Sequence, residues 1–313
     1  MAVETVGILS PGDMGHSIGQ RLREHGLRVL TCLEGRSARS RELASEAGID
    51  DVPTLADLVQ EVDILMCVLV PSAAPAVARH VAEAMRTTGA TPLYADCNAI
   101  SPRTVRGIAE TISATGAAVV DVGIIGPPPR KPGTRFYASG PAADAFSELR
   151  NHGLDVRIVE GDVGQASAVK MCYGALTKGL QALATELLVA ARLAGVDETL
   201  RAEQETSMAE VLGWVAAGLP MMPPKAYRWV GEMEEIASFF SDLGMTPDML
   251  SGAAEMYRLV ADTPIGRETP ENRDPNRDMY GVVAALADAI GQRSQHAETP
   301  AVHNPTNPPH IAD

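Results

Sequence analysis

The residues Ser10-Pro11-Gly12-Asp13-Met14-Gly15, set between the apolar run Val3–Leu9 and the amphipathic run Ile18–Leu22, have the types and spacing to hold a dinucleotide pyrophosphate. A strand, a glycine turn and a helix start bring backbone N–H groups and the partial positive charge of a helix N-terminus to the phosphates. Gly12 lets the backbone approach the anion, and Gly15 lets helix and strand pack closely. A full fingerprint has glycine at its first position; here Ser10 stands there, followed by Pro11. The next β-type run ends in Glu34-Gly35-Arg36-Ser37, with Arg39 just beyond. A carboxylate such as Glu34 binds a ribose 2′-hydroxyl and selects NAD, whereas Arg36 with Ser37 forms a cup for the 2′-phosphate of NADP. The arginine and hydroxyl pair favours NADP, with NAD the alternative. The plain alternative makes Arg36 and Arg39 solvated charges in the first turn of a helix.

The elements that position this turn follow from the alternation in the first half of the chain. Candidate strands are Val3–Leu9, Leu27–Leu33, Val62–Val70, Thr91–Ala95, Ala118–Val122 and Asp155–Val159, with helical stretches at 15–25, 38–47, 73–86 and 102–115 between the earlier ones. Such βαβ units build a doubly wound parallel sheet with ligands at the carboxyl ends of its strands. After Gly164 a proline-free stretch runs to about Ala194, with Leu176, Leu180, Leu183 and Leu187 at helical spacing. It predicts one helix of about thirty residues, roughly 45 Å long, joining two halves. Helices follow over 197–217, 225–243 and 247–260, with Gly244 as a C-cap and Pro247 opening the next segment, and again over 279–290. The predicted organisation is α/β: an N-terminal Rossmann domain over residues 1–162, an all-α substrate and dimerisation domain over 163–292, and a disordered tail over 293–313.

At 313 residues the chain suits two domains, and its net charge of −14 argues against nucleic-acid or anionic-membrane partners. A small-molecule substrate is the expected partner. No run approaches the roughly 20 apolar residues of a membrane span, and no secretory leader pattern follows Met1, so a cytoplasmic location is expected. Cys32, Cys67, Cys97 and Cys172 lack Cys-x-x-Cys spacing and the seven histidines lack ligand spacing, so no metal is expected.

Five further segments carry a family resemblance. They are Met14-Gly15 closing the glycine turn, Leu69-Val70-Pro71, Asp96-Cys97-Asn98-Ala99-Ile100-Ser101-Pro102, Asp121-Val122-Gly123-Ile124-Ile125-Gly126-Pro127, and Gly164 followed by Lys170 and Tyr173. In this order they resemble the 6-phosphogluconate dehydrogenase and β-hydroxyacid dehydrogenase superfamily over residues 3 to about 260. The closest likeness is to a subset whose C-terminal half is a domain of unknown function. The resemblance implies that Ser10, Pro11, Gly12, Asp13, Met14, Gly15, Leu69, Val70 and Pro71 contact cofactor; the Asn98 amide reads as a hold on nicotinamide ribose or substrate, or else as a turn former before a helix. It further implies that Asn98, Ile125, Gly126, Pro127, Thr177 and Glu232 line the substrate site, and that the protein is a homodimer. Three departures stand out. Ile125 replaces a carboxylate-binding serine and cannot donate a hydrogen bond, Tyr173 replaces an asparagine, and Pro127-Pro128-Pro129 stiffens the substrate loop. A bulkier or less acidic substrate would suit such a pocket.

The reaction implied is hydride transfer between nicotinamide C4 and a carbonyl or alcohol carbon, with Lys170 as proton donor or acceptor. A lysine does this near neutral pH only if burial or neighbouring charge lowers its pKa from about 10.4. Tyr173 at i+3 and Thr177 at i+7 share a helix face with Lys170, so Tyr173 either bonds the same substrate oxygen or packs as an amphipathic residue. Lys178 reads as structural, carried away from Lys170 by two further turns, and Arg228 with Glu232 reads as an intrahelical ion pair. Two other functions fit the same residues. One is NADPH-dependent imine reduction using Tyr173 and Lys170; the other is NADP binding without turnover, as in a sensor or scaffold.

Overall fold

The computed structural model describes residues 3–297. Its strands are β1 (Thr5–Leu9), β2 (Arg28–Thr31), β3 (Asp50–Asp51), β4 (Ile64–Cys67), β5 (Leu93–Asp96), β6 (Val119–Ile125), β7 (Arg135–Ser139) and β8 (Asp155–Ile158). They form one sheet in the order β3-β2-β1-β4-β5-β6-β7-β8. The pairs from β3 to β6 are parallel; β7 runs antiparallel to β6, and β8 is parallel to β7. The central strands are largely apolar because both faces are covered, with Asp96 of β5 and Asp121 of β6 as buried exceptions. Val6, Ile8, Ile64, Met66, Ala95, Val120 and Val122 join one core, which also holds Ile18 and Leu22 of α1 (Gly15–Glu24). Leu9, Leu65, Cys67, Tyr94 and Val119 join the other, with α3 (Leu55–Glu61), α4 (Ala74–Thr88) and α5 (Pro102–Ser113).

Four elements are absent from the expected series: β3, α3, β7 and α6 (Ala143–Ser147). The two residues of β3 are too few to show a period, and β7 mixes Arg135 with a half-buried face. The signal for α3 was present: Thr54 and Asp57 form a reciprocal capping box at its start. Between α1 and the third strand, α2 (Ala38–Glu46) is capped by Ser37.

The long helix is continuous as α7 (Gln165–Leu193). Two compact units divide inside it: one holds the residues up to Leu180 together with Tyr227–Tyr257, the other Gln181–Ala226 and the residues from Arg258 on. The change of sequence texture near residue 163 thus precedes the division. The first unit includes α10 (Ala226–Asp242) from Tyr227 onward and most of α11 (Asp248–Ala261). Glu235 explains why α10 belongs there: its carboxylate accepts from the Ser101 N–H and the Thr104 hydroxyl, both at 2.8 Å, at the start of α5. Arg103 adds a bond to Asp242 at 2.6 Å.

The second unit is helical, and its core includes Leu219, Met222, Val260, Val282 and Leu286. The expected helix over 197–217 is two, α8 (Asp197–Ser207) and α9 (Ala209–Gly218), broken at Met208. The last helix, α12 (Met279–Ala297), continues five residues into the stretch expected to be disordered; residues 298–313 of that stretch lie outside the described residues. No helix among the described residues is long and apolar enough to cross a membrane.

Candidate active site

The glycine turn sits at the carboxyl end of β1. Ser10 takes φ +71°, the left-handed region that glycine occupies in a full fingerprint. Gly15 cannot be replaced freely, because a Cβ there would clash with the Ser10 carbonyl oxygen. At Gly12 an added Cβ would meet nothing within 4 Å, so the turn leaves open space beside its backbone. Helix α1 has no side-chain cap and no acidic residue in its first turn; among its first N–H groups, those of His16 and Ile18 donate to the Gly12 and Met14 carbonyl oxygens, both at 3.0 Å. These features fit a dinucleotide pyrophosphate. His16, which sequence reasoning passed over, is buried against the turn; burial lowers its pKa, and the neutral ring donates from Nδ1 to the Gly12 carbonyl oxygen at 2.6 Å.

Asp13 turns away from the helix. Its Oδ1 accepts from Arg39 at 2.5 Å and its Oδ2 from Arg228 of α10 at 3.3 Å. Arg39 is therefore no free first-turn charge, and Arg228 pairs with the glycine turn rather than with Glu232. Ser37 spends its hydroxyl on capping α2, accepting from the Ser40 N–H at 3.2 Å; Glu34 is exposed and Arg36 is partly exposed beside it.

The strand ends next to this turn hold the segment 96–98. Asn98 is buried and its amide is committed: Oδ1 accepts from the Leu69 N–H at 2.6 Å, and Nδ2 donates to Asp96 Oδ1 at 2.9 Å. It ties the end of β4 to β5 and holds Leu69, Val70 and Pro71 in place; Val70 is exposed and Pro71 is buried. This amide is not free to reach a ribose or a substrate in this arrangement. Asp96 Oδ2 is buried without a partner, and burial pushes the carboxyl pKa up to about 7, against the bonds from Asn98 and with the added charge of Asp121.

Asp121 fixes the start of α7. Its Oδ2 accepts from the N–H groups of Gly164 and Ser167, both at 2.9 Å, and its Oδ1 accepts from the Ser167 hydroxyl at 2.7 Å. Ser139 of β7 donates to Oδ2 at 3.1 Å and accepts from the Ala166 N–H at 2.9 Å. Two residues along β6, a Cβ on Gly123 would lie 2.7 Å from the Ala166 carbonyl oxygen and 3.2 Å from Lys170 Cβ, so glycine lets the helix settle on the strand. Lys170 then donates from Nζ to the Ile124 carbonyl oxygen. Ile125 is buried, and Gly126 at φ +125° closes the β6–β7 hairpin, where the Thr134 hydroxyl bonds the Pro127 carbonyl oxygen.

Burial lowers the Lys170 pKa to about 8; the charge of Lys178 adds to this, Glu232 opposes it, and Arg228 and Cys97 act more weakly in opposite senses. Lys178 thus bears on the Lys170 amine through its charge. Residues 170, 174 and 178 lie along one i, i+4, i+8 ridge, and helical side chains lean toward the N-terminus. Gly174 leaves the Lys178 side chain room to fold back: Nζ is 3.9 Å from the position of a Cβ there. Lys178 Nζ meets Glu232 at 2.9 Å and lies 5.5 Å from the centre of the Trp229 ring, with both ion-pair side chains largely buried. Burial works against the Glu232 carboxylate, but Lys178 and Lys170 outweigh it and hold its pKa below the usual range. The Tyr257 hydroxyl donates to the Lys178 carbonyl oxygen at 2.6 Å. Tyr173 is exposed, and the Thr177 hydroxyl is turned back to the Tyr173 carbonyl oxygen at 3.0 Å.

Residues 5–151 match the NAD binding domain of 6-phosphogluconate dehydrogenase. The N-terminal domain is thus of the 6-phosphogluconate dehydrogenase NAD-binding type. Residues 191–260 match a domain of unknown function, DUF1932. An uncharacterized 28.5 kDa protein encoded in the 7S RNA 5′ region of Methanothermus fervidus is 26% identical over 258 residues, 82% of this chain and 99% of that protein. A solved conserved protein of unknown function, described as structurally similar to 3-hydroxyacid dehydrogenases, is 28% identical over 82% of this chain and 97% of its own, with a TM-score of 0.62. Mycobacterium tuberculosis 3-hydroxyisobutyrate dehydrogenase, solved with L-serine, shares the fold at 17% identity and a TM-score of 0.64, over 91% of this chain and 99% of its own. With this NAD-binding domain the protein is an oxidoreductase.

Proposed function

We propose that the protein is an NADP-dependent dehydrogenase of the β-hydroxyacid type, with Lys170 as general acid and base on the substrate oxygen. The observation that carries this reading is the half-buried Lys170 amine, bonded to the Ile124 carbonyl oxygen of β6, with its pKa lowered to about 8. An amine in that range is charged for carbonyl reduction at neutral pH and gains a neutral fraction for alcohol oxidation at mildly alkaline pH. A bound nicotinamide supplies or accepts the hydride. The glycine turn and the start of α1 would take its phosphates, and the partly exposed Arg36 supports NADP over NAD. Burial lowers the proton affinity of the amine, and the opposite charges of Lys178 and Glu232 adjust it in opposite senses.

The test is Lys170→Ala. A kcat at least ~10²-fold below the parent, with an unchanged dinucleotide dissociation constant by calorimetry, is the expected result; a near-normal rate excludes the role. A panel of β-hydroxyacids, 2-oxoacids, aldehydes and cyclic imines, followed by NADPH absorbance, identifies the substrate. The exposed phenol of Tyr173, one turn past Lys170, favours imine reduction as the second reading, and activity only on the imines would select it. A homodimer is the expected assembly: Leu176 and Met249 are 70% and 81% exposed in the first unit, and apolar side chains this open are common at subunit interfaces. Light scattering measures it directly.

A further inference from the structure

Arg228 and Glu232 stand one turn apart on α10, and each reaches a different part of the site. Glu232 pairs with Lys178 beside the amine, whereas Arg228 crosses to the glycine turn. Its bond there is the looser of two, 3.3 Å against 2.5 Å for Arg39 on the other oxygen of the same carboxylate. The Arg228 Nε–H is buried and has no hydrogen-bond partner. A buried donor left unpaired is unfavourable, and a guanidinium offers a paired edge that an oxyanion fits with two parallel bonds. The nearby turn has open space at Gly12 and an uncapped helix start. Asp13 is itself out of place there, because a carboxylate beside a pyrophosphate repels it unless it does something else.

We propose that Arg228 is a ligand for the phosphate bridge of the dinucleotide, and that Asp13 holds its guanidinium at the glycine turn in readiness for that anion. This rests on the dinucleotide reading above. In the resting arrangement Asp13 carries two arginines; when phosphate binds, Arg228 shifts its looser bond to a phosphate oxygen and its Nε–H gains an acceptor. Arg39 stays on Asp13 and keeps that carboxylate neutralised. Arg228 therefore joins the anion at the turn to the α10 segment that faces Lys170.

The experiment is calorimetric titration with ADP-ribose, which has the pyrophosphate and no reactive ring, on the full chain. Arg228→Met weakens binding at least ~10-fold, and Arg228→Lys, which keeps the charge and loses the fork, weakens it less. Asp13→Asn provides a test of sign. Simple repulsion predicts tighter binding once the negative charge is gone, whereas the holding role predicts weaker binding, and no further loss in Asp13→Asn combined with Arg228→Met. Unchanged binding in Arg228→Met, or tighter binding in Asp13→Asn, overturns the proposal. Titration with malonate checks the other source of an oxyanion: if Arg228→Met loses malonate binding and keeps ADP-ribose binding, the arginine serves a substrate carboxylate and the phosphate assignment fails. If the parent binds ADP-ribose and Arg228→Met, folded by its thermal transition, binds it equally, only this inference falls. If the parent binds neither ADP-ribose nor NADPH, the dinucleotide reading falls with it.

Discussion

Helices α1 and α7 both start after a glycine turn against the same sheet, and they treat their first N–H groups in opposite ways. At α7 the chain provides its own anion: Asp121 accepts from Gly164 and Ser167, and Ser139 accepts from Ala166. At α1 no side chain caps the helix, and the nearest carboxylate, Asp13, faces two arginines instead. An N-terminus filled by a buried carboxylate is a joint, and it aims Lys170 at the Ile124 carbonyl oxygen. An N-terminus left without an internal anion keeps its partial positive charge for a ligand. The same backbone feature thus serves rigidity in one place and binding in the other.

The comparison breaks most visibly at the joint. Asp121→Ala strands several buried donors at once and lowers unfolding free energy by about 3 kcal/mol or more in urea denaturation; a loss under about 1 kcal/mol would make the carboxylate dispensable.

Asp96, the cross-strand neighbour of Asp121, has no helix start to bind, and its raised pKa has a stability consequence of definite sign. A carboxyl shifted from 3.8 to about 7 in the folded state contributes its full stabilisation below about pH 4 and loses it as pH rises through 7. The expected slope approaches about 1.4 kcal/mol per pH unit between these limits. Urea unfolding of Asp96→Asn from pH 4.5 to 7.5 should show that slope removed; the same slope in parent and variant excludes Asp96 as its source.

The two glycines of the first turn separate packing from binding. Gly15→Ala meets the Ser10 carbonyl and costs about 2 kcal/mol. Gly12→Ala meets no protein atom, so its thermal midpoint stays near the parent's while dinucleotide affinity falls ~10-fold or more. A destabilised Gly12→Ala with normal affinity would reverse their assignment.

The smallest effect belongs to Lys178. Lys178→Met removes a like charge and leaves Glu232 facing Lys170, so the Lys170 pKa rises from about 8 by roughly one unit. Carbon-13 reductive methylation resolves this by NMR titration, since the chain has only Lys131, Lys170, Lys178 and Lys225. An unchanged or lowered value would remove Lys178 from the site's electrostatics.

Much of the scaffold was legible because burial on both faces writes itself as apolar runs, as in Ile64–Cys67, and because Gly12 and Gly15 answer local demands of one turn. β7 escaped notice: its pattern is mixed, and its antiparallel return after Gly126 depends on a hairpin whose turn contains four prolines. Lys170 was visible through its surroundings, while Lys178 was discounted by counting turns. The i, i+4, i+8 ridge with glycine at its centre was the available signal. Asn98 and Thr177 looked like free polar groups, and the fold has given both of them internal partners.

The sequence by itself determined the α/β alternation, the glycine turn and the helix that bears the candidate lysine, because each depends on residues close together in the chain. Only the tertiary structure decided that Asp13 meets Arg228 across 215 positions and that Lys178 turns toward Lys170 with Glu232 against it. Charge pairing of that kind depends on distance and burial, and neither is defined until the helices have packed on the sheet.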